Sequence, residues 1–184
     1  MKEAPGAPGF ILAGGASRRM GRDKAHVQVD GRPMALRVAD ALREGGCHNV
    51  RLICKQHTSV PPGLPILVEP ETWHHPLLGV AVALEAARDE GARLALIAPC
   101  DLPFLSQHTI RQLLKTHGPC VAHDGDRVHP LLAVLCIDMA DQARRLASED
   151  ASAQTLVAGL PRVTVPVSSV HDANCPGDLE AQQG

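Results

Sequence analysis

A chain of 184 residues, 45% hydrophobic and 21% charged, is long enough to bury one sizeable core without disulfides or metal staples. Its formal net charge of -2 and its three aromatic residues, Phe10, Trp73 and Phe104, exclude a general polyanion binder and a stacking platform, so no nucleic acid partner is expected. No apolar run approaches the length of a membrane span, so no membrane partner is expected either.

The chain is expected to form a single domain over 1–184, with Met1 to Pro8 as a flexible polar lead. Phe10 to Ala13 reads as a buried strand that stops at Gly14-Gly15. After a basic loop, a brief strand over His26–Val29 meets an Asp30-Gly31 turn. Met34, Val38, Ala41 and Leu42 share one face of a helix that Pro33 opens and Gly45-Gly46 ends. Asn49–Cys54 and Ile66–Val68 are the second and third strands, with the proline-rich HTSVPPGLP between them. Pro76 begins a second helix closed by Gly91.

Arg93–Ala98 is a continuous apolar run, the pattern of a strand covered on both faces. Ser106 caps a third helix with Ile110, Leu113 and Leu114 inward. Cys120–His123 and Leu131–Cys136 flank a polar turn, and helices over Ile137–Ala147 and after Ser152 follow. A strand in RVTVPV and a terminal helix after Pro176 complete the chain. Strands alternating with helices predict an α/β fold, a mostly parallel sheet covered on both faces. In such sheets ligands bind beyond the carboxyl ends of the strands. The chemistry is therefore expected where Gly14 and Asp101 terminate their strands.

Six cysteines and ten histidines raise disulfides and metal sites. Neither Cys54 with His57 nor Cys120 with His123 has a second pair at zinc-ribbon spacing, so reduced structural thiols in the cytosol are expected.

The first loop carries the strongest signal. Glycines at a strand's carboxyl end let backbone N–H groups approach an anion, and Arg18, Arg19, Arg22 and Lys24 follow with mobile positive charge. Lys24 is followed by Ala25 rather than a hydroxyl residue, so the loop is not a Walker motif. The glycine spacing also fails GxGxxG. An ordinary glycine turn with solvated arginines is the structural alternative.

Asp101 follows an aliphatic strand and faces that loop, which suits a magnesium ion on a triphosphate. Capping of the turn into the Ser106 helix is the competing role. In HDGDRVHP, Arg127 and His129 are expected to be presented between two strands rather than packed, with solvated charges the alternative for Asp124 and Asp126.

The stretch Leu12 to Lys24, LAGGASRRMGRDK, closely resembles the LAGGxSxRMGxDK signature of the MobA-like nucleotidyltransferases. PCDLPF around Asp101 is similar to that family's PCDxPF segment. The resemblance spans Phe10 to Leu179. It implies a Rossmann-like three-layer sandwich of the nucleotide-diphospho-sugar transferase type. It also implies transfer of GMP from GTP to molybdopterin with release of pyrophosphate, and Mg2+ as cofactor.

By the same resemblance, Leu12, Ala13, Gly14, Gly15, Lys24, Glu69, Gly79 and Asp101 are nucleotide-binding. Arg18, Arg19, Lys24 and Asp101 are catalytic, Asp101 is the metal ligand, and Arg127, His129 and Asn174 lie on the pterin side. Transient contact with molybdoenzymes or other cofactor-synthesis proteins is implied as well.

The chain departs from the pattern in places. Ile53, Cys54 and Lys55 stand where the family has an asparagine, and Glu69 followed by Pro70 where it has an aspartate. Its GPLxG turn appears as HPLLG. Asp172 and Cys175 replace an asparagine and a threonine near the end. The Gly14-Gly15 pair is the guanine form, whereas cytidylyl relatives carry LAAG. Other small-molecule nucleotidyltransferases and a catalytically silent cofactor-delivery subunit are the rival readings. The silent subunit would have lost Lys24 or Asp101, and both are present.

Overall fold

The computed structural model describes residues 6–13, 27–56, 58–70 and 75–171. Among these, seven strands form one sheet in the order β5-β4-β1-β6-β8-β7-β9. The strands are β1 (Pro8–Leu12), β4 (His48–Cys54), β5 (Ile66–Val68), β6 (Leu94–Pro99), β7 (Cys120–His123), β8 (Val128–Cys136) and β9 (Arg162–Thr164). Only β8 runs against its neighbours; every other pairing in the sheet is parallel. A separate two-stranded hairpin, β2 (Gln28–Val29) and β3 (Arg32–Pro33), turns at Asp30-Gly31, both at positive φ. Two such residues in succession give the turn whose twist matches a hairpin.

The expected sandwich is present, because side chains alternate along each strand between two cores. Ile11, Leu52, Leu96, Ala98, Cys120, Ala122 and Val134 point to one side, where α1 (Met34–Gly45) and α3 (Gln107–Leu114) pack. Phe10, Ile53, Ala95, Ile97, Val121, Ala133 and Leu135 point to the other, against α2 (Pro76–Asp89), α4 (Ala140–Ser148) and α5 (Ala153–Val157). Each fully buried large aliphatic side chain contributes about 1.5–3 kcal/mol of transfer free energy. With few aromatics, that work falls on Leu, Ile, Val and Ala.

Helix ends follow the sequence signals. After α1, the N–H of Gly46 bonds the carbonyl of Arg43 and that of Cys47 reaches Leu42; after α2, Gly91 and Ala92 repeat the pattern on Arg88 and Ala87. Both glycines sit at positive φ, the left-handed cap that lets the chain leave a helix with its last carbonyls satisfied.

Several boundaries differ from expectation. Of the lead over 1–8, residues 6–8 belong to the fold: Pro8 opens β1, and the Ala7 carbonyl accepts the His48 N–H. Residues 1–5 lie outside the described residues, as do His26 and the helix after Pro176. The helix expected over Ile137–Ala147 begins as a 3-10 turn, Ile137–Met139, before α4. Strand β9 stops at Thr164, short of Pro166. Leu114 is only half-buried.

Strand β8 starts at Val128 rather than Leu131, so His129 and Pro130 lie in the sheet. Val121 opposes Ala133 but Ala122 opposes His129, so residues 130–132 form a bulge. Proline has no N–H for a ladder, and a bulge is where an inner strand tolerates it.

Candidate active site

The chain moves from β1 outward to β4 and β5, then returns through α2 to place β6 on the other flank of β1. The strand order reverses there, and an open α/β sheet leaves a crevice at that point. Leu12 is in register with Pro99, and the Cys100 N–H bonds the Leu12 carbonyl at 3.1 Å. The ends of β1 and β6, the second leading into Asp101, are therefore neighbours, as the sequence predicted. On the other side, the Ala13 N–H bonds the Ile53 carbonyl at 2.9 Å. Leu12 and Ala13 are thus held between the two flanking strands at the crevice floor.

Asp101 is half-buried, in a turn between Cys100 and Leu102, both buried. Arg37 of α1 secures the residues just after it. Its Nε–H donates to the Pro103 carbonyl at 3.0 Å, while its Nη1 donates to the Val29 carbonyl at 3.3 Å and to Asp30 Oδ2 at 3.1 Å. The guanidinium also lies 5.9 Å from the Phe104 ring centroid. Phe104 in turn packs on Val29 and Met34.

Beyond the tips of β1 and β4 lies a shallow pocket lined by Leu12, Ile53, Glu69, Pro76 and Gly79. Pro76 is the first residue of α2, and His75 caps that helix by accepting the Leu77 N–H on Nδ1. Gly79 is what keeps the pocket open. A Cβ there would stand 3.2 Å from Leu12 Cδ2 and 3.6 Å from Glu69 Oε2.

Glu69 is only 4% exposed, and its N–H bonds the Cys54 carbonyl at 3.0 Å. Its Oε1 lies 3.5 Å from Lys55 Nζ, which also donates to the Pro70 carbonyl at 3.2 Å. Lys55 and Glu69, each in a segment that departs from the family pattern, thus form an ion pair beside the pocket, which Glu69 lines.

The β7–β8 hairpin reaches the same sheet edge, because β8 enters where β6 ends. Asp124 Oδ1 accepts the N–H groups of Asp126 and Arg127 at 2.9 and 2.8 Å, and Oδ2 meets His129 Nε2 at 2.8 Å. The Arg127 backbone bond, ahead of the His129 and Asp126 hydrogen bonds, holds this carboxyl well below the usual range despite its burial. One expectation is corrected, and the alternative weighed for Asp124 does not hold. His129 is packed and committed to Asp124 rather than presented, and Asp124 is a buried turn-former rather than a solvated charge. Arg127 is presented, its side chain 59% exposed and its Nε 3.5 Å from Asp124 Oδ2.

Of the candidate residues, Leu12, Ala13, Glu69, Gly79 and Asp101 are gathered at one edge around the tips of β1, β4 and β6. Gly14, Gly15, Arg18, Arg19, Lys24 and Asn174 lie outside the described residues. Sequence reasoning missed Arg37, because a charge on a helix carries no mark of the loop it will hold. It also missed Asp124, although an aspartate ahead of Gly-Asp-Arg is a side-chain turn signal.

Residues 9–164 match the model of the MobA-like NTP transferase domain. The chain belongs to this family. A relative from Opitutus terrae, named a probable molybdenum cofactor guanylyltransferase, is 36% identical over 161 residues, covering 84% of this chain and 79% of its own length. Molybdenum cofactor guanylyltransferase of Cereibacter sphaeroides is 35% identical over 183 residues, covering 93% and 92%. The crystal structure of molybdopterin-guanine dinucleotide biosynthesis protein A from Archaeoglobus fulgidus superposes with a TM-score of 0.74 over 95% of each chain, at 19% identity. That likeness shows the fold. Membership makes the chain a nucleotidyltransferase, and none of its described helices is long and apolar enough to cross a membrane.

Proposed function

We propose that this chain is a molybdenum cofactor guanylyltransferase of the cytosol, joining GMP from GTP to the terminal phosphate of molybdopterin. The observation that carries the reading is the crevice beside β1, where a depression lined by Glu69 adjoins the strand end bearing Asp101. The names of relatives that align over most of the chain point the same way.

A metal ion enters on the chemistry of the donors. Among the described residues no three metal-ligating side chains cluster, and Asp101 offers a hard oxygen donor at the end of β6. Magnesium accepts this, because it keeps waters and substrate phosphate oxygens as its other ligands, whereas structural zinc requires a full set of protein ligands. When bound at Asp101, the ion would neutralise charge on the triphosphate.

The residues of the chain bind and orient. Leu12 and Ile53 offer apolar walls for a base, and Gly79 leaves the space between them. Arg18 or Arg19 and Lys24 would spread the triphosphate charge beyond the Gly14-Gly15 amides. A terminal phosphate oxygen of molybdopterin is already ionised near neutral pH, so no protein base is needed. It attacks the α-phosphorus, the bond to the bridging oxygen breaks, and pyrophosphate leaves with that electron pair. Catalysis is then positioning and charge neutralisation.

On the pterin side, Arg127 is placed to meet an anionic substrate, His129 acts only by holding the Asp124 turn, and Asn174 is carried over from the family motif. Transient contact with molybdoenzymes or cofactor-synthesis proteins would hand the product on.

The test is pyrophosphate release from each of the four nucleoside triphosphates, with and without molybdopterin and magnesium. Release is expected with GTP only, and only when both are present. Preferential use of CTP would make the enzyme a cytidylyltransferase, and binding without release would make it a delivery subunit; either result contradicts the proposal.

A further inference from the structure

His75 stands where the family turn has glycine, and it brings a side chain that can gain or lose a proton beside the pocket. Helix α2 begins with Pro76, which has no N–H, so Leu77 carries the first backbone donor that needs a partner. His75 supplies that partner. From an extended backbone, φ -133° and ψ 132°, its Nδ1 accepts the Leu77 N–H at 3.2 Å, and the side chain is only 13% exposed. Its carbonyl accepts the Leu78 N–H at 3.0 Å.

The far half of α2 is tied down by other side chains. Arg144 donates to both Glu85 oxygens at 2.7 and 2.6 Å, Arg88 Nη2 donates to the Ile137 carbonyl at 3.1 Å, and Asn49 and Arg51 hold Glu90 at the C-cap. Pro76 and Gly79, which line the pocket, belong instead to the first turn, the part that His75 caps.

We infer that His75 is a positioning residue whose neutral imidazole, with Nδ1 bare, sets the start of α2 for nucleotide binding and releases it on protonation. This rests on the reading that GTP occupies the pocket. An imidazole nitrogen that accepts a hydrogen bond holds no proton, so the neutral ring carries its hydrogen on Nε2. Imidazolium donates at both nitrogens, and protonation therefore sets Nδ1–H against the Leu77 N–H. It also places a cation at the positive end of the helix dipole. Both effects break the cap. Histidine is the side chain whose charge changes between about pH 5 and 8, whereas the usual capping residues hold through that range.

Among the described residues, Asp150 after α4 has Oδ1 3.9 Å from Nε2 and favours the imidazolium, but its side chain is fully exposed and the attraction is screened. Glu69, after β5, reaches the Gly79 side of the pocket and is paired with Lys55, after β4. The Glu85–Arg144 pair lies farther along α2, whose first turn contains no acidic residue.

Two measurements test the inference. In the nucleotide-free protein, imidazole nitrogen NMR is expected to show neutral His75 as the Nε2–H tautomer, with the Leu77 amide shifting as that ring titrates. Kd for GTP is then measured from about pH 8 to about pH 5.5 for the wild type and for His75→Asn, whose amide oxygen caps without titrating. The ratio of the two isolates His75, because proton uptake by the nucleotide or the metal site is common to both. It is expected to be near one at the alkaline end and about fivefold higher at the acid end, the worth of one lost helix cap. His75→Ala, which cannot cap, should bind GTP about fivefold more weakly than His75→Asn at both ends.

A ratio of wild type to His75→Asn that stays constant across the range overturns the inference, and so does a neutral His75 in the Nδ1–H tautomer. Failure of the guanylyl reading has a different signature. The wild-type protein would then bind CTP in place of GTP, and the same ratio taken with CTP reports on His75. If neither nucleotide binds, the tautomer, which is read without nucleotide, still decides whether His75 caps α2.

Discussion

Arg37 and Pro103 are joined by a 3.0 Å hydrogen bond from the guanidinium Nε–H to the proline carbonyl. The same guanidinium bonds the Val29 carbonyl and Asp30. One side chain on α1 thereby ties the β2–β3 hairpin to the turn that carries Asp101. Asp30 is more than half exposed, so that ion pair alone contributes little. The two carbonyl bonds carry the effect. Arg37→Ala is expected to destabilise the protein by about 1–3 kcal/mol, since it leaves part-buried acceptors unmatched, and to lower kcat more than it raises KM for GTP. Arg37→Lys should recover little, because an ammonium cannot reproduce the planar fork. Urea unfolding and steady-state kinetics check both statements.

Gly79→Ala separates stability from binding. Alanine is favoured over glycine inside a helix by about 1 kcal/mol, while the new methyl group would stand 3.2 Å from Leu12 Cδ2 and narrow the pocket. The melting temperature should hold or rise, and KM for GTP should increase several-fold. An unchanged KM would show that the nucleotide does not use this pocket.

The Asp124 turn gives a pH dependence of known sign. Its folded carboxyl is held below the ordinary value, so its contribution is fully present above about pH 4, the unfolded carboxyl range, and is lost as pH falls further toward the folded value. Asp124→Ala should be less stable than wild type at pH 7, and the difference should shrink below pH 4. Urea midpoints across that range are the readout. A gap that stays constant would mean that the ionised form is not what holds the turn.

Thiol reactivity should follow burial. Desolvation pushes the buried Cys47 thiol up to about 12, leaving it protonated at pH 8, whereas Cys136 is half-exposed. Iodoacetamide followed by peptide mass spectrometry is expected, among the described cysteines, to label Cys136 first and Cys47 only on unfolding.

Much of this architecture could be read from residue pattern because pattern and packing coincide. The apolar run around Leu96 has both faces covered, and Gly46 and Gly91 end helices for the reason glycine usually does. The neighbourhood of Leu12 and Pro99 was legible because a parallel sheet places its ligand at strand tips. His129 was misread because a histidine just after a polar turn looks solvated, whereas the bulged strand sets it against Asp124. Lys55 and Glu69 stand fourteen positions apart with no sequence pattern to link them, and only the β4–β5 pairing makes them neighbours. Arg37 shows the same limit, since its acceptors at Val29 and Pro103 belong to segments far apart along the chain.

The central claim is that the ends of β1 and β6 make one guanylyl-transfer centre with Asp101 as its acidic anchor. The most direct test is mass spectrometry of the pterin product formed from GTP, magnesium and molybdopterin by the wild-type protein and by Asp101→Asn. The account predicts molybdopterin enlarged by one GMP unit with the wild type, and yield reduced at least about 100-fold in a variant that melts like the wild type. Undiminished product from Asp101→Asn, or unaltered molybdopterin from the wild type, would contradict it.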